Sequence, residues 1–133
     1  MTSDITIDGR GIVVRVVGEV SGEVIDRLVR RMAADPRFDP AMPTVWDFSA
    51  SIGLAALSAE ALRGAATVLG TVREGGGRPR VAIVTPRDAD YGIARMFEGM
   101  NETRILVELG IFRDLDGAVA WAFDRAPEPP NTT

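Results

Sequence analysis

The chain of 133 residues has no cysteine and no histidine, and its fifteen basic residues are all arginine, leaving no lysine. Without cysteine there are no disulfides, thiolate nucleophiles or sulfur ligands for a metal. Without histidine, the commonest general base and the commonest zinc ligand are also gone. Carboxylate pairs, a serine or threonine lacking a histidine base, or magnesium on Asp and Glu remain, and no spacing points to any of them. The expectation is a non-enzyme without metal or cofactor. Nineteen acidic residues bring the formal charge to −4, which disfavours a phosphate backbone, so no nucleic-acid partner is expected. The N-terminal "MTSDITIDGRG" has no basic segment leading into an apolar core, and no apolar run approaches the roughly 20 residues that span a bilayer. A cytoplasmic protein without a membrane span follows as the expectation.

What is present reads as one α/β domain over residues 1–126, followed by a tail, "APEPPNTT", whose last residues 127–133 read as disordered. A chain of this size buries about two-thirds of its unfolded surface and needs no staples. "DITI" and "IVVRVVG" are β-branched runs joined by "DGRG", where Asp8-Gly9 supplies a positive-φ turn. "SGEVIDRLVRRMAAD" follows as a helix capped by Ser21, with Val24, Ile25, Leu28, Val29 and Met32 on one stripe and Pro36 ending it. After "PRFDPAMP" comes a short strand, "TVWDFS". Ser58 then caps a helix carrying Leu62, Ala65, Ala66, Leu69 and Val72, which "EGGGRP" closes. The apolar run of "RVAIVTP" suits a strand covered on both faces, and is expected to be the central one. Asp88 caps a third helix, "ADYGIARMFEGM". "TRILVEL" is the next strand, and "DLDGAVAWAFDR" the last helix, with Leu115, Ala118, Val119 and Ala122 inward and Trp121 at a boundary. The order β-β-α-β-α-β-α-β-α predicts a mostly parallel sheet with an antiparallel N-terminal hairpin.

This order, the length, and the stretches "VWDFS", "LSAEAL", "RVAIVTPRDADYGIARMFEGM" and "IFRDLDGAVAWAF" resemble the bacterial STAS-like superfamily, which includes anti-sigma factor antagonists. Within it the resemblance is greatest to small SpoIIAA-like proteins of mostly unknown function, often grouped with lipid-exchange domains of the CRAL-TRIO type. It runs from about Ile5 to Phe123 and rests mainly on core positions. It implies partner docking at the carboxyl edge of the sheet and the helices beside it. Phospho-regulated members carry a serine after an aspartate, eight or nine positions beyond the strand-end aspartate. Counted from Asp47, those positions hold Ala55 and Ala56, so the Asp-Ser pair is missing.

Three serines surround that region. Ser58 follows Leu57 and precedes Ala59, the pattern of an N-cap hydroxyl rather than of the switch. Ser49 and Ser51 fall on a stretch, "SASIG", that reads as an accessible flexible loop, where turn chemistry competes with modification. Asp47 ends its strand in the crevice where open α/β sheets bind ligands, and either orients a ligand or accepts from nearby backbone amides.

The third helix is the most unusual stretch. Tyr91, Ala94 and Arg95 share one stripe, while Ile93, Met96, Phe97 and Met100 form a sulfur-and-aromatic face suited either to the core or to an adaptable groove. Both stripes cannot face the sheet, so Tyr91 or Met96 is expected on a rim. Arg87 and Arg95 flank the helix start, but Asp88 and Asp90 already supply the negative charge that an anion would bring. The candidate partner- or ligand-binding residues are therefore Asp47, Ser49, Ser51, Ser58, Tyr91, Arg95, Met96, Phe97 and Met100. The expected function is a non-catalytic regulatory module that binds another protein or its own copy, without the phosphoserine switch. The alternative is a small apolar-ligand or lipid-binding module using the third helix.

Overall fold

The β-branched runs near the N-terminus pair as expected, β1 (Asp4–Ile7) lying antiparallel to β2 (Ile12–Glu19). In the computed structural model, which describes residues 2–100 and 106–124, the turn between them is built differently from the expected one. Gly9 is not left-handed. Instead the Asp8 carboxylate accepts from the N–H groups of Arg10 and Gly11, at 2.8 and 3.3 Å. Gly11 is required by crowding, since a Cβ there would lie 2.5 Å from the Pro43 carbonyl and 2.6 Å from the Phe123 ring.

Ser21 accepts from the Val24 N–H and starts α1 (Gly22–Ala34), which buries Leu28, Val29 and Met32. Next come β3 (Thr44–Ile52), a 3₁₀ turn (Leu54–Ala56) and α2 (Ala59–Arg73). Then follow β4 (Arg80–Val84), α3 (Asp88–Glu98), β5 (Glu108–Phe112) and α4 (Leu115–Phe123). The sheet order is β1-β2-β3-β4-β5, parallel after the hairpin. The expected α/β class and topology are thus the observed ones.

Side chains alternate between two cores because successive strand residues point to opposite faces. Val14, Val16, Trp46, Phe48, Val81 and Ile83 pack with α1, α2 and α3 on one face. Val45, Ala82 and Val84 pack under Ala118 and Ala122 of α4 on the other. No helix among the described residues is long and apolar enough to cross a membrane.

Several details differ from the sequence expectations. The central strand is β3, not β4; a strand next to the edge is also fully buried once helices cover both of its faces. The last strand lies later than "TRILVEL": Leu106 is helical and β5 begins at Glu108, while residues 103–105 lie outside the described ones. Gly110 weakens the strand signal of "ELGIF", yet its missing side chain makes room for Trp121, whose ring would stand 3.1 Å from a Cβ. Leu115 is 40% exposed rather than inward, because Asp114 caps α4 by accepting from Gly117 and sets Leu115 at the helix mouth. The expected boundary at residue 126 and the tail 127–133 lie outside the described residues.

Candidate functional site

The stretch read as a strand followed by a loop is one strand, and this decides what its polar groups do. β3 continues through Ser49, Ala50, Ser51 and Ile52, held by parallel pairing of Ala50, Ser51 and Ile52 with Val17, Gly18 and Glu19 after a register shift that places one extra residue in β3 between Asp47 and Ala50. Asp47 is buried, and its Oδ1 accepts from both the N–H and the hydroxyl of Ser49, at 2.9 and 2.5 Å. Ser49 is exposed. Ser51 is not on a flexible loop as expected: it is 3% exposed and donates to the Phe48 carbonyl at 2.7 Å. Ser58 is exposed, and its hydroxyl accepts from the Ala61 N–H at 3.0 Å, capping α2.

The strand end is fixed from outside by Arg87. Its guanidinium donates to the carbonyls of Phe48, Ser49 and Ser51, at 3.3, 3.3 and 2.8 Å, and to the Asp90 carboxylate at 2.8 Å. Asp90 is 4% exposed and also accepts from the Ala55 N–H at 3.0 Å. One ion pair therefore joins β3, the 3₁₀ turn and the start of α3. Asp88 does not cap that helix: Arg87 occupies the cap position without a side-chain bond to it, and Asp88 stands in water paired with Arg113 at 2.9 Å. The charges at this helix start are thus already matched within the chain. Sequence reading noticed Arg87 and Asp90 but missed their shared task, because Phe48, Ser49 and Ser51 lie nearly forty residues away. The i, i+3 spacing of Arg87 and Asp90 was the available signal.

The third helix divides its candidate residues. Phe97 and Ala94 are buried, and Ile93 and Met100 pack half-buried against the core. Met96 is 56% exposed and so leaves the apolar stripe; Phe97 lies at the middle of that stripe, between Ile93 and Ala94, and Met96 stands about 100° away from it on the helix. Tyr91 is half-buried beneath the Arg113 guanidinium, 4.3 Å above its ring. Arg95 points outward and pairs with Glu98 at 3.2 Å. Of the nine candidates, the fold joins Asp47 to Ser49 directly and Ser49 to Ser51 through Arg87, while the Arg95 side chain pairs with Glu98 instead.

Beneath α3 lies a cavity of about 60 Å³ whose lining, among the described residues, is apolar throughout. Trp46, Phe48, Val81 and Ile83 form its floor, and Ala94 and Phe97 part of its roof. Ile25, Leu57 and Ile93 line it too, half-buried, while the other described residues of the lining are buried. Only Phe97 among the candidates reaches it. Among the described residues, no cluster of carboxylates could hold a metal ion.

At the opposite end of β3 sits a residue that sequence reading did not single out. Arg73, the last residue of α2, is 0% exposed. It donates to the carbonyls of Pro40 and Met42 and to the Thr44 hydroxyl, at 3.0, 2.9 and 2.5 Å, and lies over the Phe38 ring. Burial lowers its pKa to about 10, with Asp39 pulling in the other direction. Its position on the apolar stripe of α2, four residues after Leu69, was the one sequence signal.

Among the described residues, a five-stranded mixed sheet with α1, α2 and α3 on one face and α4 on the other, its carboxyl edge opening at β3 and α3, defines a SpoIIAA-like α/β fold. That fold is seen in the crystal structure of an uncharacterised protein of the DUF3478 family from Shewanella loihica PV-4. The two are 19% identical, with a TM-score of 0.55 over 91% of this chain and 92% of that one. At this identity the likeness establishes the fold alone. No protein-family model matches the sequence, and no curated protein does.

Proposed function

We propose that the chain is a non-catalytic, STAS-like protein-interaction module that docks a partner at the carboxyl edge of β3 and along α3, with no phosphoserine switch. The observation that carries this reading is Ile52. Its side chain is 65% exposed, yet its backbone is pinned: the Ile52 carbonyl accepts from Val20 and the preceding Ser51 carbonyl from Arg87. A large apolar side chain on a fixed backbone loses little entropy on docking, which is what an interface anchor requires. Met96, 56% exposed on α3, adds a second, more adaptable apolar residue. Ser58 serves as a helix cap, and positions 55 and 56 offer no hydroxyl.

The alternative of an apolar-ligand or lipid module draws on the cavity under Ala94 and Phe97. Its volume of about 60 Å³ falls well below the roughly 300–1,000 Å³ of sites for drug-sized ligands. An acyl chain would need this space to widen before it could enter. Two measurements separate the readings. A photo-crosslinker placed at Ile52 in living cells should give a discrete protein adduct that Met96→Asp removes, and native mass spectrometry should show the chain without an acyl or lipid mass. A co-purifying lipid displaced by Ala94→Phe, with no adduct at Ile52, would reverse the order. Without a ligand space, Ala94→Phe should instead overpack the sheet contact and destabilise by about 1 to 3 kcal/mol.

A further inference from the structure

The two outer strands of the sheet present different edges. At one side β1 is four residues long and carries exposed Asp4 and Thr6, and charge on a short edge strand discourages strand addition. At the other side lies β5, and among the described residues no strand covers its outer edge. All five of its residues are half-exposed, including Gly110, whereas Val81, Ala82, Ile83 and Val84 of β4 beside it are buried. From Leu109 to Phe112 there is no charge, proline or register break. Glu108 has its charge drawn inward, 3.6 Å from Arg80 on β4.

The direction of the backbone groups follows from the two ends of the ladder. The Glu108 N–H donates to Pro79, and the Phe112 carbonyl accepts from Thr85. In a parallel ladder alternate residues bond to the same neighbour, so Glu108, Gly110 and Phe112 face β4. Leu109 and Ile111 therefore turn both their N–H and C=O groups outward, giving two donors and two acceptors on an apolar edge.

We infer that this edge pairs with β5 of a second copy of the chain, antiparallel across a two-fold axis at Gly110, continuing the sheet from one copy into the other. The inference is independent of the docking rim proposed above. A second copy is the occupant because the edge is complementary to itself. With the axis at Gly110, Leu109 of each copy faces Ile111 of the other, and the pair exchanges both backbone bonds. Four hydrogen bonds form, and apolar side chains meet on the α3 face. Gly110 meets Gly110 at the closely spaced, non-bonded position, where the absence of side chains removes any clash. Two-fold symmetry requires the antiparallel sense, and it closes the assembly at two copies.

The test uses the full chain in analytical ultracentrifugation over a range of concentrations, together with amide hydrogen exchange. The wild type should sediment as a dimer, and the Leu109 and Ile111 amides should become more protected as concentration rises. Leu109→Pro removes an outward N–H, a change an edge strand tolerates on its solvent side, and shortens a side chain packed half-buried against the core. It should leave the thermal unfolding transition cooperative and weaken the dimer at least roughly tenfold, since two intermolecular bonds are lost. If that variant does not fold, Ile111→Lys serves the same purpose, its stem covering the core and its ammonium blocking the edge. A wild type that stays monomeric, a dimer of unchanged strength in a folded variant, or exchange at Leu109 and Ile111 that ignores concentration would each overturn the inference.

Discussion

The central strand is held at both ends by an arginine, and the two are held in opposite ways. At the amino end Arg73 is wholly buried and gives its hydrogens to two carbonyls and a hydroxyl, with no carboxylate among the described residues bonded to it. At the carboxyl end Arg87 gives its hydrogens to three carbonyls, but its side chain is 48% exposed and paired with Asp90. Both supply donors to backbone carbonyls, Arg73 to the loop that leads into β3 and Arg87 to the last residues of β3 itself. The difference lies in what surrounds them. Arg73 carries its charge out of water, at a cost visible in its lowered pKa, so the amino end is committed to a single packed arrangement. Arg87 keeps contact with solvent and leaves Ile52 and Ser49 beside it exposed. A rigid frame open to water at one end is how a small domain presents an interaction surface without losing stability.

The largest effect should come from removing the buried member of this pair. Arg73→Met leaves the Pro40 and Met42 carbonyls and the Thr44 hydroxyl without their donor, and should lower unfolding free energy in urea by about 3 kcal/mol or more. Arg73→Lys should recover only part of that, because one ammonium cannot match the planar fork. A parent-like midpoint for Arg73→Met would mean that desolvation of the charge cancels its hydrogen bonds, and the amino end would lose its place in the comparison.

A smaller loss is expected at the other end. Asp90→Ala removes the partner of Arg87 and the acceptor of the Ala55 N–H, and should cost about 1 to 3 kcal/mol. Arg87→Ala, at a half-exposed site, should cost about 1 kcal/mol, with faster amide exchange at the β3 end as its distinguishing sign. Equal losses for Arg73→Met and Arg87→Ala would erase the contrast between the two ends.

An effect as small as that of Arg87→Ala tests the serine that caps α2, beyond the open end of β3. Ser58→Ala should lower stability by about 1 kcal/mol through loss of the cap, while Ser58→Asp should be tolerated, since aspartate caps as well and favours the helix dipole. Recovery of phosphate on Ser58 from native protein would show that the exposed end carries a switch after all.

The sequence by itself determined what local chemistry can determine. The alternation of apolar residues settled the order of strands and helices. Ser21 and Ser58 marked their helix starts, and the absence of cysteine and histidine removed whole classes of reaction. Local pattern could not say which strand lay centrally, because Val81 to Val84 is an apolar run, Val45 to Phe48 is one but for Asp47, and burial on two faces depends on where helices land. It could not place β5, where Gly110 is tolerated only because Trp121 fills its space. Nor could it join Arg87 to the carbonyls of Phe48, Ser49 and Ser51, or Arg73 to those of Pro40 and Met42, since bonds across some thirty to forty residues leave no periodic trace. Tertiary structure alone decided which polar groups were used up inside the fold, which apolar side chains remained outside it, and which backbone edge was left open, because each of these depends on a neighbour that is distant along the chain.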